Sequence, residues 1–255
     1  MRVNVIGSGY MGKQIASLLS IIGFDILVCQ KTSSNLIDEI NSEVRKIERV
    51  MKFKSKGSLK VVSDLKKLEN NITIESVTEN LKIKKEIFNE LNFNENLFSN
   101  TSSIKLSDIG ENINGLHFMN PITFKLIEIC PKKNFSNEKL SKLTNELKKN
   151  YYEIIFVKDT PGYVVNKILF RDISFYFYLI EVEKMKLNDI NKIFKSDLKK
   201  LDPIKLVNLI GVDTCLEILK NLNKYNSDYY IPKIFQDSID VNILGNKNKT
   251  KFRLL

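Results

Sequence analysis

Histidine is almost absent from this chain of 255 residues: there is one, His117, so any chemistry that needs a base titrating near neutral pH rests on a single position. A lone histidine in an apolar stretch is by default a satisfied core residue, and the rest of the sequence has to decide otherwise. Cysteine is nearly as sparse. Cys29, Cys130 and Cys215 are odd in number and far apart, which excludes a disulfide framework and any zinc-ligand spacing and fits reduced thiols. No metal site is expected. No apolar run is long enough to span a membrane, and the opening "MRVNVIGSG" enters a strand-like segment where a signal peptide would have its basic and apolar regions. The expectation is a cytoplasmic protein with no membrane partner. There is no internal repeat and no low-complexity linker.

Charge, by contrast, is plentiful: 40 Lys and Arg against 30 Asp and Glu give a net charge of +10. The lysines are scattered through the chain, and "PKKNFSNEKLSKLTNELKKN" has the spacing of an amphipathic helix with a solvated basic face. No RNA-binding aromatic motif or zinc finger accompanies them, so no nucleic-acid partner is expected. A polyanionic small molecule suits the same charge. Hydrophobic content of 43% and charged content of 27% are those of a soluble globular protein.

The first segments read strand ("RVNVI"), glycine-rich turn ("GSGYMG"), helix ("KQIASLLSIIG", with Gly23 as its C-cap) and strand ("FDILVCQ"), which together make one βαβ unit. A polar amphipathic helix spans about residues 35 to 54. Strands follow at "ITIESV", "NLFSNTSS", "NGLHFMNP", "KLIEIC" and "YEIIFVK", with helices at "NLKIKKEIFNEL" and near 136–150. This alternation predicts an α/β fold with a doubly wound sheet over residues 1–160. Pro161 and Gly162 punctuate a change to helical periodicity, so residues 161–255 are expected to form a smaller all-α domain, with "PIKLVNLIGVDTCLEILKNL" as one helical stretch.

Gly7, Gly9 and Gly12 form G-x-G-x-x-G between a strand and a helix, the context in which that motif binds a dinucleotide. The first glycine permits the tight turn, the second lets backbone approach a pyrophosphate, and the third lets the helix lie close to the sheet. One element is missing. The second strand should end in an acidic residue that binds the ribose 2′-hydroxyl of NAD, but it ends Cys29, Gln30, Lys31, and Asp25 stands at the wrong end. NAD is the expected cofactor, with NADP left open.

With these pieces in place the chain resembles the L-3-hydroxyacyl-CoA dehydrogenases, including 3-hydroxybutyryl-CoA dehydrogenases. The resemblance rests on "GSGYMGKQIA", "ESVTENLKIKKEIF", "SNTSSI", "GLHFMNP" followed by "KLIEI", and "DTPGYVVNKIL", in the family's order up to about residue 170. Beyond that it fades to "GVDT", "PKIF" and "LGNKNKTKF", the last with two of the family's glycines lost.

The resemblance implies roles for named residues. His117 would be the acid–base group, since imidazole exchanges protons in both directions near neutral pH, and Glu128 its orienting carboxylate. Ser102 and Asn166 would hold the substrate oxygen, with Asn120 a further substrate contact. Gly7, Gly9, Tyr10, Met11, Gly12 and Gln30 would meet the dinucleotide, and Glu79, Lys84 and Asn100 would stand near its nicotinamide end. Ser42 and Arg49, seven apart on one helix face, would hold the adenosine phosphate of an acyl-CoA substrate. A homodimer is also implied. Two departures stand out: the segment between His117 and Glu128 is one residue shorter than the family's usual loop, which threatens their pairing, and "FKSDLKKLDPIKLVNLIG" lacks the family's P-M-G-P turn. The competing readings are a hydroxy-acid or sugar-acid dehydrogenase on the same fold and a non-catalytic dinucleotide-binding descendant.

Overall fold

The computed structural model describes residues 1–30, 35–51, 57–132, 138–196 and 202–254. The chain forms two compact units, Met1–Thr160 and Pro161–Leu255.

In the first unit, strands β1 (Arg2–Ile6), β2 (Asp25–Cys29), β3 (Leu59–Val62), β4 (Ile72–Glu75), β5 (Leu97–Ser99), β6 (Asn114–Phe118), β7 (Leu126–Cys130) and β8 (Glu153–Phe156) make one sheet in the order β3-β2-β1-β4-β5-β6-β7-β8. Neighbours run parallel except β6 and β7, which are antiparallel. Helices α1 (Tyr10–Ile21), α2 (Leu36–Met51), α3 (Leu81–Glu90), α4 (Leu106–Ile109) and α5 (Glu138–Lys149) connect them.

Side-chain alternation along the strands explains the two-sided cover. Val3, Val5, Ile26 and Val28 enter a core with Ile15, Leu18 and Leu19 of α1 and Ile40, Val44 and Ile47 of α2. Ile6, Leu27 and Cys29 point the other way, into a smaller cluster with Leu65 and Leu68 against which Ile87 of α3 packs. Helix α1 ends as expected at Gly23, whose φ is +104°: its N–H donates to the Ser20 carbonyl and the Phe24 N–H to that of Leu19, a Schellman closure.

The expected doubly wound sheet is therefore present, with two additions. Strand β3 has four residues with Lys60 turned outward, too short a pattern to stand out from the polar stretch before it. Helix α4 is a single turn, held open at its start by Asp159, whose carboxylate accepts the N–H groups of Leu106 and Ser107 at 2.7 and 2.9 Å.

The second unit is helical: α6 (Val165–Glu181), α7 (Leu187–Lys195), α8 (Pro203–Ile210), α9 (Val212–Tyr225) and α10 (Lys233–Asp240). Its core is aromatic, with Phe235 set edge-on to both Phe177 (4.8 Å) and Phe252 (5.7 Å). Asn208 ties the last segment to α8: its amide donates to the Phe252 carbonyl and its Oδ1 accepts the Phe252 N–H, each at 2.9 Å. Glu181 starts α10, which periodicity did not reveal, by accepting the N–H groups of Lys233 and Ile234. Residues 203–222 are two helices where one was expected. Gly211 breaks them with φ +102°, a conformation closed to other residues, and so turns the chain between α8 and α9. Among the described residues no helix is long and apolar enough to cross a membrane.

Gly211→Ala should therefore destabilise the chain by about 1–3 kcal/mol, the cost of holding a side chain in a sparsely populated backbone region. The check is the urea midpoint followed by far-UV circular dichroism, and an unshifted midpoint would mean that the break tolerates a helical residue.

Candidate active site

The glycine turn joins β1 to α1. Gly7 has φ +101°, and its N–H donates to the Cys29 carbonyl at 3.1 Å. A Cβ at Gly7 would lie 2.6 Å from the Ser76 carbonyl oxygen, and one at Gly12 only 2.1 Å from that of Gly7, so neither position admits a side chain. Gly9 is different: a Cβ there would meet nothing within 4 Å. It caps α1 with no side chain hydrogen-bonded to the first turn. Open space beside an uncapped helix N-terminus is what a pyrophosphate requires, so these residues fit a dinucleotide. Tyr10 is half exposed, and its phenol pKa is raised by burial and then by the nearby Glu43 carboxylate. Met11 is partly buried and packs against the core.

Beside the turn, at the end of β2, lies a cavity of about 290 Å³. Gly7, Cys29 and Gln30 form one side, apolar Leu65 and Ile87 the wall, and Glu86 and Glu90 of α3 the acidic rim. Lys31, Thr32 and Ser33, which follow β2 in the sequence and could meet a cofactor 2′-phosphate, lie outside the described residues.

His117 sits on β6 directly opposite Glu128 on β7. Its Nδ1 is 2.8 Å from Glu128 Oε2; the carboxylate is wholly buried and the imidazole nearly so. The expected threat from the short connecting loop does not materialise. The pair is set by cross-strand register, between the flanking pairs Leu116–Ile129 and Phe118–Ile127, and the turn over residues 119–125 lies outside that ladder. The Oδ1 of Asn120, in this turn, is buried and has no hydrogen-bond partner among the described residues, so it is an acceptor left for a donor such as a carboxamide N–H.

Ser102 lies between β5 and α4, where Glu79 grips the chain. Glu79 Oε1 accepts from the N–H groups of Ser102 and Ser103 at 3.2 Å, from Ser103 Oγ at 2.9 Å and from Thr101 Oγ1 at 2.5 Å. Its Oε2 is 3.2 Å from Lys84 Nζ. Burial alone would raise the Glu79 pKa, but Lys84 and the hydroxyl donors outweigh it and hold the carboxyl below its usual range. Lys84, 1% exposed, also meets Glu75 at 2.8 Å, and these two carboxylates overcome its desolvation and raise its pKa. Asn100 Oδ1 accepts the Phe118 N–H at 2.9 Å, which fastens this loop to the residue after His117. Glu79, Lys84 and Asn100, expected as cofactor contacts, thus make protein contacts that shape the loop bearing Ser102. Glu75 was not singled out from sequence. Its signal was an acidic residue closing the fully buried strand "ITIE", nine positions before Lys84.

Ser42 and Arg49 lie on α2, the serine half-buried and the arginine exposed. Asn166 belongs to the second unit, buried in the first turn of α6. Among the described residues no three of His, Cys, Asp and Glu are grouped to hold a metal ion.

Comparison with known proteins gives concordant matches over the whole chain. The family model for the 3-hydroxyacyl-CoA dehydrogenase NAD binding domain matches residues 2–160, and that for the 3-hydroxyacyl-CoA dehydrogenase C-terminal domain matches residues 162–254. A probable 3-hydroxybutyryl-CoA dehydrogenase of Deinococcus radiodurans is 26% identical over 276 residues, covering 99% of both chains. The mitochondrial hydroxyacyl-coenzyme A dehydrogenase of Sus scrofa is 27% identical over 276 residues, 97% of this chain and 87% of the relative. In fold, the chain is similar to M. tuberculosis FadB2 (TM-score 0.82, 23% identity, 100% of this chain and 98% of that one). It is also similar to the (S)-3-hydroxybutyryl-CoA dehydrogenase PaaH1 of Ralstonia eutropha (TM-score 0.78, 23% identity, 99% of each). A glycine turn shaped for a dinucleotide, a buried histidine–carboxylate pair and family matches to both units lead to one conclusion: the chain belongs to the 3-hydroxyacyl-CoA dehydrogenase family.

Proposed function

We propose that this protein is an NAD-linked oxidoreductase acting on the C3 hydroxyl or keto group of a short or medium 3-hydroxyacyl-CoA, with His117 as its acid–base group. The observation that carries the reading is the buried 2.8 Å contact between His117 Nδ1 and Glu128 Oε2. With Nδ1–H given to the carboxylate, Nε2 is the nitrogen that exchanges a proton with substrate. It takes the hydroxyl proton in oxidation and returns one to the keto oxygen in reduction. Glu128 fixes this tautomer and stabilises the imidazolium. When bound, the nicotinamide supplies the hydride acceptor or donor. Ser102 and Asn166 orient the substrate oxygen, and Asn120 makes a further polar contact.

The first unit holds the dinucleotide, with Gly7, Gly9 and Gly12 and the start of α1 receiving the pyrophosphate. Gln30 and the cavity at the end of β2 take the adenosine end. Its described lining carries two carboxylates and no cation, which supports NAD over a 2′-phosphorylated cofactor. Ser42 and Arg49 hold the adenosine phosphate of coenzyme A. The second unit supplies Asn166 and the dimer contact of a cytoplasmic homodimer.

The direct test is acetoacetyl-CoA reduction followed by NADH absorbance, and His117→Gln should lower turnover at least about a hundredfold, the scale of general acid–base catalysis, while leaving NADH affinity nearly intact. Near-parental turnover in that variant rules the mechanism out. Glu128→Gln should also lower turnover, since the imidazolium loses its counter-charge.

Ser42→Ala combined with Arg49→Ala should raise the KM for the acyl-CoA and spare reaction with a truncated pantetheine thioester, because these side chains would reach only the distant phosphate. Equal losses on both substrates would remove α2 from the binding site.

Cys29→Asp would restore the acceptor for the ribose hydroxyls. A hydrogen bond to a charged group contributes roughly 1.5–3 kcal/mol, so the NADH-to-NADPH ratio of kcat/KM should move toward NADH by at least about tenfold. If the ratio stays where the parent has it, residue 29 does not face the ribose.

A further inference from the structure

At the ends of β4 and β5 lies a buried cluster of three charges. Glu75 is wholly buried and acts only as an acceptor: Oε1 takes the Val77 N–H at 2.7 Å and Lys84 Nζ at 2.8 Å, and Oε2 takes Ser99 Oγ at 2.6 Å. Glu79 likewise accepts on both oxygens, from the chain at 101–103 and from Lys84. Among the described residues Lys84 is the one cation between them, so with both groups in the carboxylate form one negative charge is in surplus. Stability alone does not account for it, since well-packed apolar residues commonly replace buried ion clusters without loss.

The surplus charge is close to the chemistry. Glu79 holds the Ser102 N–H, and the same loop is fastened through Asn100 to Phe118, the neighbour of His117. Ser102 and His117 address the reacting oxygen in the reading above, on which this inference rests. A nicotinamide would exchange hydride with the carbon adjoining that oxygen, so it would come to the side of the loop that Glu79 holds.

We propose that the Glu75–Lys84–Glu79 cluster sets the redox preference of the dinucleotide site. Its surplus negative charge favours the cationic oxidised nicotinamide over the neutral reduced one, and Glu75 is the residue that supplies the surplus. Glu75 touches neither substrate nor cofactor; it acts through Lys84 and Glu79.

The test is the ratio of Kd for NAD⁺ to Kd for NADH, measured by titration calorimetry on the full chain without substrate. In Glu75→Gln the cluster is neutral, and the ratio should rise by about threefold or more, the effect of one charge across a partly screened interior. Glu79→Gln makes the same change at a less buried position and should move the ratio the same way even if Glu75→Gln fails to fold. In Glu75→Gln with Lys84→Met the contacts are lost but Glu79 restores one negative charge, so the ratio should return toward the parental value. A purely structural cluster would leave the double variant at least as far from the parent as the single. Unchanged ratios in both single glutamine variants, with NAD⁺ and NADH still binding, would overturn the inference and leave the enzymatic reading standing. A parent that binds neither dinucleotide would overturn that reading, and the inference with it.

Discussion

The hydrogen-bond register between two antiparallel strands is the constraint on which the candidate chemistry depends. β6 and β7 are the only antiparallel neighbours among the described strands, and their register puts His117 and Glu128 face to face. Side chains directly opposite on such a ladder are close enough to touch, so the imidazole needs no loop to find its carboxylate. A slip of one residue would send His117 to the other face and separate the pair. The apolar neighbours on both strands, each fully or almost fully buried, resist that slip.

Within each unit, carboxylates close helix starts and turns that have no local cap of their own. Asp159 holds α4, Glu181 holds α10, and Glu79 gathers the chain at 101–103. In each case an acceptor distant in sequence satisfies backbone N–H groups that the helix or turn cannot satisfy itself. In the first unit these contacts carry order from the sheet into the loop that bears Ser102.

Much of this was legible in the sequence. The glycine spacing between a strand and a helix located the turn whose shape fits a dinucleotide, and alternation of strand and helix gave the doubly wound sheet. His117 and Glu128 were brought together by motif order. What escaped lacked a periodic signal. β3 is four residues long, α4 is one turn, and α10 starts on a glutamate 52 positions earlier in the chain. Gly211 was hidden within an apolar stretch whose periodicity continues through it, because hydrophobic spacing does not report the sign of φ. Glu79 and Lys84 were found as a motif, but their partner Glu75 was not. A buried ion cluster is a three-dimensional arrangement, and one sequence gives no measure of burial for a lone acidic residue.

The sheet also distributes its contacts unevenly along the chain. His117 and Glu128 are 11 residues apart, whereas β1 reaches the strand beside it by pairing Val3 with Ile72. The entropy of loop closure grows with the logarithm of loop length, so the longer closure costs about 1.6 kcal/mol more than the shorter. The hairpin that bears the His117–Glu128 pair closes from local chain alone. The turn shaped for the dinucleotide is complete only with a remote strand beside β1, because its glycine lies against Ser76. The His117–Glu128 pair therefore rests on the local part of the topology and the glycine turn on the long-range part, the part that slows folding.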